Sequence, residues 1–155
     1  MDIWPYILII LFSLVPALEV RASIPLGIYL GIDPFAVYIM SLLAGFSPAP
    51  LLIYGLSWLE ENIFNKHDII KKIYSWSIER ARRKAYSVSK SRYIFIALAL
   101  FVGIPLPGTG VWTGSLISYI LGLNKKKSLV AVFIGNTIAS TIVLLASLGL
   151  FNILI

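Results

Sequence analysis

The sequence predicts an all-α integral membrane protein, an inverted repeat of two re-entrant helical hairpins, each followed by a transmembrane helix. Three observations predict it: an apolar composition, four hydrophobic stretches of which two are broken midway, and basic residues gathered in two clusters. Of 155 residues, 59% are hydrophobic and 13% charged, where a soluble domain carries about 25% charged residues. A surface so poor in charge would not stay dissolved as a monomer. The length suits one compact unit of a few crossings rather than two independent domains. The chain has no cysteine, which excludes disulfides, thiolate zinc sites and iron–sulfur clusters. Its one histidine, His67, stands away from any carboxylate cluster, so no metal or other cofactor is expected.

The four apolar stretches are 3–32, 35–59, 93–123 and 128–150. The first is interrupted by Pro16 and by Glu19-Val20-Arg21-Ala22-Ser23-Ile24-Pro25. The second has the length of one crossing, since about 20 residues span a ~30 Å hydrocarbon core. The third, as one straight helix, would be about 45 Å long at 1.5 Å per residue. Its centre, Gly103-Ile104-Pro105-Leu106-Pro107-Gly108-Thr109-Gly110, holds two prolines without backbone donors and three glycines, which predicts a break. The fourth again suits one crossing. The expected organisation is a single membrane domain with a first repeat over 1–59, a basic loop over 60–92 and a second repeat over 93–155.

Charge decides whether a broken stretch crosses the membrane or enters and leaves by one face. The 60–92 segment carries nine basic residues (Lys66, Lys71, Lys72, Arg80, Arg82, Arg83, Lys84, Lys90, Arg92) against Glu60, Glu61, Asp68 and Glu79. A second cluster is Lys125-Lys126-Lys127. A full crossing by 93–123 would put the two clusters on opposite faces, against the excess of Lys and Arg in cytoplasmic loops. A hairpin that dips in and returns puts both in the cytoplasm. The same logic places Asp2, Asp33 and both termini outside, in a multi-pass protein of the cell membrane. Beside membrane segments the basic residues are not read as a nucleic-acid surface. The acidic Asp2 does not suit a signal peptide. The loop lacks Gly and Pro over 65–92 and spaces Ile70, Ile73, Tyr74, Ala81, Ala85 and Val88 near the helical period. An amphipathic helix on the anionic leaflet fits this, as does a solvated helical linker.

An odd number of crossings per half inverts the second half against the first. Inverted repeats of broken helices are a recurring transporter plan, with the site where the breaks meet. A thin echo accompanies it, with Ile24-Pro25-Leu26 recurring as Ile104-Pro105-Leu106.

Glu19 and Arg21 are the strongest local clue. A charge at membrane depth costs a few kcal/mol on insertion scales and faces a cavity or a partner. Glu19 is a candidate proton-coupling carboxylate, and Arg21 a candidate anion ligand through its fork of donors. A buried ion pair that only locks the hairpin tip is one structural alternative, and Glu19 at the membrane surface, with 3–18 crossing alone, is another. The second clue is Pro105-Leu106-Pro107-Gly108-Thr109-Gly110-Val111-Trp112-Thr113-Gly114. Free N–H groups ahead of an apolar helix form an anion site, to which Thr109 and Thr113 add hydroxyls. A break that merely turns the chain is the plainer reading. Gly103 to Gly108 has the spacing of a nucleotide loop, but Thr109 stands where that loop needs lysine. Pro25, Trp112 and Asn136 are expected to support the site, although polar residues such as Asn136 and Ser140 commonly serve helix packing. Trp4 and Trp58 suit interfacial anchors. With no nucleophile–base set or carboxylate pair apparent, enzyme chemistry is not expected.

Glu19-Val20-Arg21-Ala22-Ser23-Ile24-Pro25-Leu26-Gly27 and the Ile104–Gly114 segment resemble the paired motifs of the small multidrug export protein family, a distant branch of the DedA superfamily. Arg80-Ala81-Arg82-Arg83-Lys84 also matches that family's pattern. The resemblance implies a flippase or transporter of an anionic, phosphate-bearing lipid, a phospholipid or polyprenyl phosphate, with dependence on protons. Carried over, Glu19 is the acidic position of the first hairpin and Arg21 its basic neighbour. The chain departs from typical DedA members, which place arginine around the second hairpin's proline. Binding there would rest on Pro105, Pro107, Gly108, Thr109, Gly110 and Thr113. The competing readings are efflux of small amphipathic cations, with Glu19 as the cation ligand, and a non-transporting membrane scaffold. One short chain also leaves room for a homodimer that encloses a path.

Overall fold

The computed structural model describes residues 3–62 and 92–154, and every element in them is helical. Helix α1 is Trp4–Leu14, α2 is Glu19–Tyr29, and α3 starts as Pro34–Phe46. It continues through Pro48–Pro50, a π turn Leu51–Gly55 and Leu56–Asn62. The second half repeats the order, with α4 at Arg92–Gly103, α5 at Val111–Ile120 and α6 at Lys125–Leu154. Each half is therefore a short helix, a break, a second short helix, a tight turn and a long helix. The expected amphipathic helix between the halves lies outside the described residues.

The two tight turns are built alike. Leu30-Gly31-Ile32-Asp33 and Leu121-Gly122-Leu123-Asn124 each put glycine in the left-handed region, at φ +75° and +63°. Each ends its helix with paired backbone bonds, Ile32 N–H to Gly27 O and Leu123 N–H to Ser118 O, in the manner of a Schellman cap. Asp33 Oδ2 then accepts from Ala36 N–H at 2.9 Å and Asn124 Oδ1 from Lys127 N–H at 3.1 Å, so each turn starts the next helix.

These turns are a feature the two halves share; the echoed Ile-Pro-Leu tripeptides are not equivalent in space. Pro25 lies inside α2, whereas Pro105 lies in the break before α5. The first break is likewise shorter than the sequence suggests, spanning Val15 to Leu18 and ending at Glu19, the first residue of α2. In α3, Pro48 has no N–H for the carbonyl of Ala44, and Ser47 Oγ donates to that carbonyl at 2.8 Å instead.

The long helices run antiparallel. Tyr38 pairs with Thr141 (3.2 Å), Asn136 Nδ2 donates to Leu42 O (3.0 Å), and the Phe46 and Phe133 rings meet edge to face at 5.1 Å. Small residues let the backbones close in. Gly135 sits against Ala99 O and Val102, and Gly103 against Ile138, which runs α4 parallel to α6. Gly27 faces Val37 and Ile9, which brings α1, α2 and α3 together. One apolar cluster joins Ile9, Val20, Ile24 and Val37 to Ala139 and Val143 of α6. The other joins Leu98, Val102, Val111 and Val132 to Ala49 of α3. Each half thus completes its core with the other's long helix.

Polarity is arranged for lipid. Ser13, Ser23, Ser41, Ser115, Asn136 and Ser140 are buried, whereas Leu43, Leu51, Trp58, Val130, Ile134 and Leu145 are exposed. In water such an exterior would be a liability. Two of the described helices, Pro34–Leu59 and Lys125–Gly149, are long and apolar enough to cross a membrane, about 39 Å and 37 Å at 1.5 Å per residue.

Candidate functional site

The two breaks meet. In the first, Ala17 and Glu19 adopt left-handed backbone angles, φ +72° and +45°, conformations that cost a side-chain-bearing residue about 1–3 kcal/mol each. This turn aims the Glu19 side chain across the molecule, where the residue is only 2% exposed. Its Oε2 accepts from Val111 N–H and its Oε1 from Trp112 N–H, both at 3.2 Å. Those are the first two residues of α5, whose initial N–H groups have no partner within the helix. Gly110 makes the approach possible, since a Cβ there would collide with the Glu19 carboxylate.

The electrostatics follow from the helix starts. α2 begins at Glu19 and α5 at Val111, so two positive dipole ends converge. Alone they would repel; a carboxylate between them is the charge they require. Arg21 lies beside it, Nη1 at 3.5 Å from Glu19 Oε2. Its Nη2 donates to Thr109 Oγ1 at 3.0 Å and reaches Ile104 O at 3.4 Å. Thr109 Oγ1 stands 2.6 Å from Ile104 O and 2.8 Å from Leu106 O, so its single proton holds the break closed while the oxygen faces the guanidinium. Arg21 Nε is buried and unpartnered among the described residues.

The second break also caps the first half. Trp112 Nε1 donates to Leu14 O at 3.1 Å, serving the last carbonyl of α1. Each break thus satisfies backbone groups that the other exposes.

Among the residues expected at the site, Glu19, Arg21, Thr109, Gly110 and Trp112 come together. Pro105 is half-buried in the break, while Pro107 and Gly108 are exposed, Gly108 at φ +87°. Thr113 follows on α5, half-buried. Asn136 is buried between the long helices, with its carbonyl oxygen of the backbone taken by Ser140 Oγ at 2.7 Å. Pro25 lies in α2, two residues beyond Ser23, whose Oγ donates to Ser41 Oγ of α3 at 2.9 Å. Sequence reasoning did not foresee the carbonyls of Leu14 and Ile104 as partners, because backbone acceptors leave no mark in residue identity. Among the described residues no group of three or more His, Asp or Glu could hold a metal ion.

Residues 19–142 match the family described as "Putative small multi-drug export protein", and the match opens on Glu19 itself. The chain belongs to this family. The family is linked to the DedA superfamily and is one of export proteins rather than enzymes. Neither the curated proteins nor the solved structures hold a significant match to the chain. Membership and two membrane-length helices make this a membrane protein of an export family.

Proposed function

We propose that the protein is a DedA-type transporter that moves an anionic, phosphate-bearing lipid and couples that movement to protons through Glu19. The observation that carries the reading is the Glu19 carboxylate seated on the N–H groups of Val111 and Trp112 with Arg21 alongside. This is an anion seat filled by the protein's own carboxylate. A proton on Glu19 removes its charge and frees the seat, and a phosphate oxygen takes the same N–H groups together with the Arg21 guanidinium. Loss of the proton returns the carboxylate and expels the phosphate. Proton and lipid anion therefore occupy the site together.

In this reading α1–α2 and α4–α5 are re-entrant hairpins whose breaks meet inside the bilayer, and the two halves form an inverted repeat. The antiparallel long helices support it, as does the parallel course of α4 and α6 from one end of the molecule. There Lys127 Nζ lies 5.7 Å from the centre of the Phe95 ring and Lys125 Nζ 5.3 Å from that of Tyr54. The basic end faces the cytoplasm.

The test is reconstitution in liposomes with an anionic phospholipid labelled in one leaflet and an amphipathic organic cation inside. The lipid is expected to cross faster than in protein-free liposomes, with no release of the cation. Release of the cation without movement of the lipid would overturn the proposal, and so would movement of neither.

A further inference from the structure

Away from the Glu19 site, a groove of about 640 Å³ runs between α4 and α6. Its size falls in the ~300–1,000 Å³ range of small-ligand sites. Phe95, Ile96, Ala99 and Leu100 form one wall, and Val130 and Ile134 stand opposite. Charge enters the described lining only through Lys126 and Lys127, at one end. A carbon-lined groove with two lysines at one end is the complement of an amphiphile with an anionic head.

The lysines are a second, separate observation. Lys125, Lys126 and Lys127 fill the first turn of α6, the positive end of its dipole. Cations there are unfavourable, since they face the positive end of the helix dipole. Asn124 caps one N–H of that turn, but a neutral amide does not offset three charges. A phosphate group at that end of the groove offsets both the lysines and the dipole. Lys127 is already held there over the Phe95 ring. A second copy of the chain is a poor occupant, since a two-fold interface through the groove sets like lysines against each other.

We propose that this groove seats an anionic phospholipid, its head phosphate on Lys126 and Lys127 and one acyl chain along the wall of Phe95, Ile96, Ala99 and Leu100. The seat is distinct from the Glu19–Arg21 site and does not depend on the transport reading.

Native mass spectrometry of the purified full chain tests this with phosphatidylglycerol and phosphatidylcholine of identical acyl chains. The expected result is about thirtyfold greater retention of phosphatidylglycerol, since each of the two lysines is worth about a factor of five on an anionic head. K126Q/K127Q is expected to bring the two lipids to parity. K125Q, whose Nζ lies over Tyr54 of α3 rather than in the groove, is expected to keep the preference. Val130→Trp, or Ile96→Trp from the other wall, is expected to fill the groove and lower retention of both lipids. Equal retention by the wild-type protein overturns the proposal. So does an equal loss in K125Q, which would reduce the effect to net charge, or unchanged retention in both tryptophan variants. A dimer that Val130→Trp converts to monomer would also overturn it, by assigning the groove to a second copy.

Discussion

Glu19 stands 3.2 Å from the backbone nitrogens of Val111 and Trp112 but 3.5 Å from Arg21 Nη1, so its principal partners are helix ends. A simple buried ion pair loses stability when either member is neutralised and recovers when both are. Here the expected order differs. Glu19→Gln should be the more damaging change, because it sets an amide donor against one of two N–H donors and leaves two dipole ends unbalanced. Arg21→Gln should be milder, and the double variant should recover little. Thermal unfolding of the four proteins in detergent distinguishes these patterns. Full recovery in the double variant would reduce the site to a structural clamp. Gly110→Ala is expected to lower stability by about 1–3 kcal/mol, because its Cβ must displace the Glu19 carboxylate. The same melting experiment reads this change, and an unshifted melting temperature would contradict the seat. Both charges were legible in the sequence as ionisable residues inside an apolar stretch. Their partners were not, being backbone groups that chain geometry alone brings together.

Legibility varies among the elements with how a break is made. The second break announces itself through Pro105, Pro107 and three glycines. The first is marked by Pro16 alone, and its exact course was not legible, because the turn rests on left-handed Ala17 and Glu19 with no glycine in it. Pro25 misleads in the other direction. It looks like a breaker yet lies within α2, as prolines do in membrane helices whose neighbours satisfy the freed groups. The likeness of the two halves is plainest in the Leu-Gly-Ile-Asp and Leu-Gly-Leu-Asn turns, where two glycines and two capping side chains perform matching tasks. Gly122→Ala is expected to cost about 1 kcal/mol through its positive φ. Asn124→Ala should cost a similar ~1 kcal/mol through the lost cap. Denaturant titration of each variant would check these values. Asn136→Leu, which removes the donor to Leu42 O between the long helices, should cost about 1–2 kcal/mol; a neutral effect would mean that apolar packing alone holds α3 to α6.

On the scale of the whole molecule, the cysteine-free chain permits a direct test of membrane placement. Asn62→Cys and Lys126→Cys should both be labelled from the cytoplasm, and Phe35→Cys from outside. Labelling of positions 62 and 126 from opposite faces would abolish the second re-entrant hairpin and the inverted repeat with it. The central claim is that the Glu19 carboxylate is an internal anion whose protonation yields its seat to a lipid phosphate. The most direct measurement is the rate of anionic-lipid movement in proteoliposomes with and without a pH gradient, for the wild-type protein and Glu19→Gln. The wild-type rate is expected to rise with the gradient, whereas Glu19→Gln, with no proton to exchange, should move lipid at one rate in both conditions. A Glu19→Gln protein that still responds to the gradient as the wild type does would contradict the account.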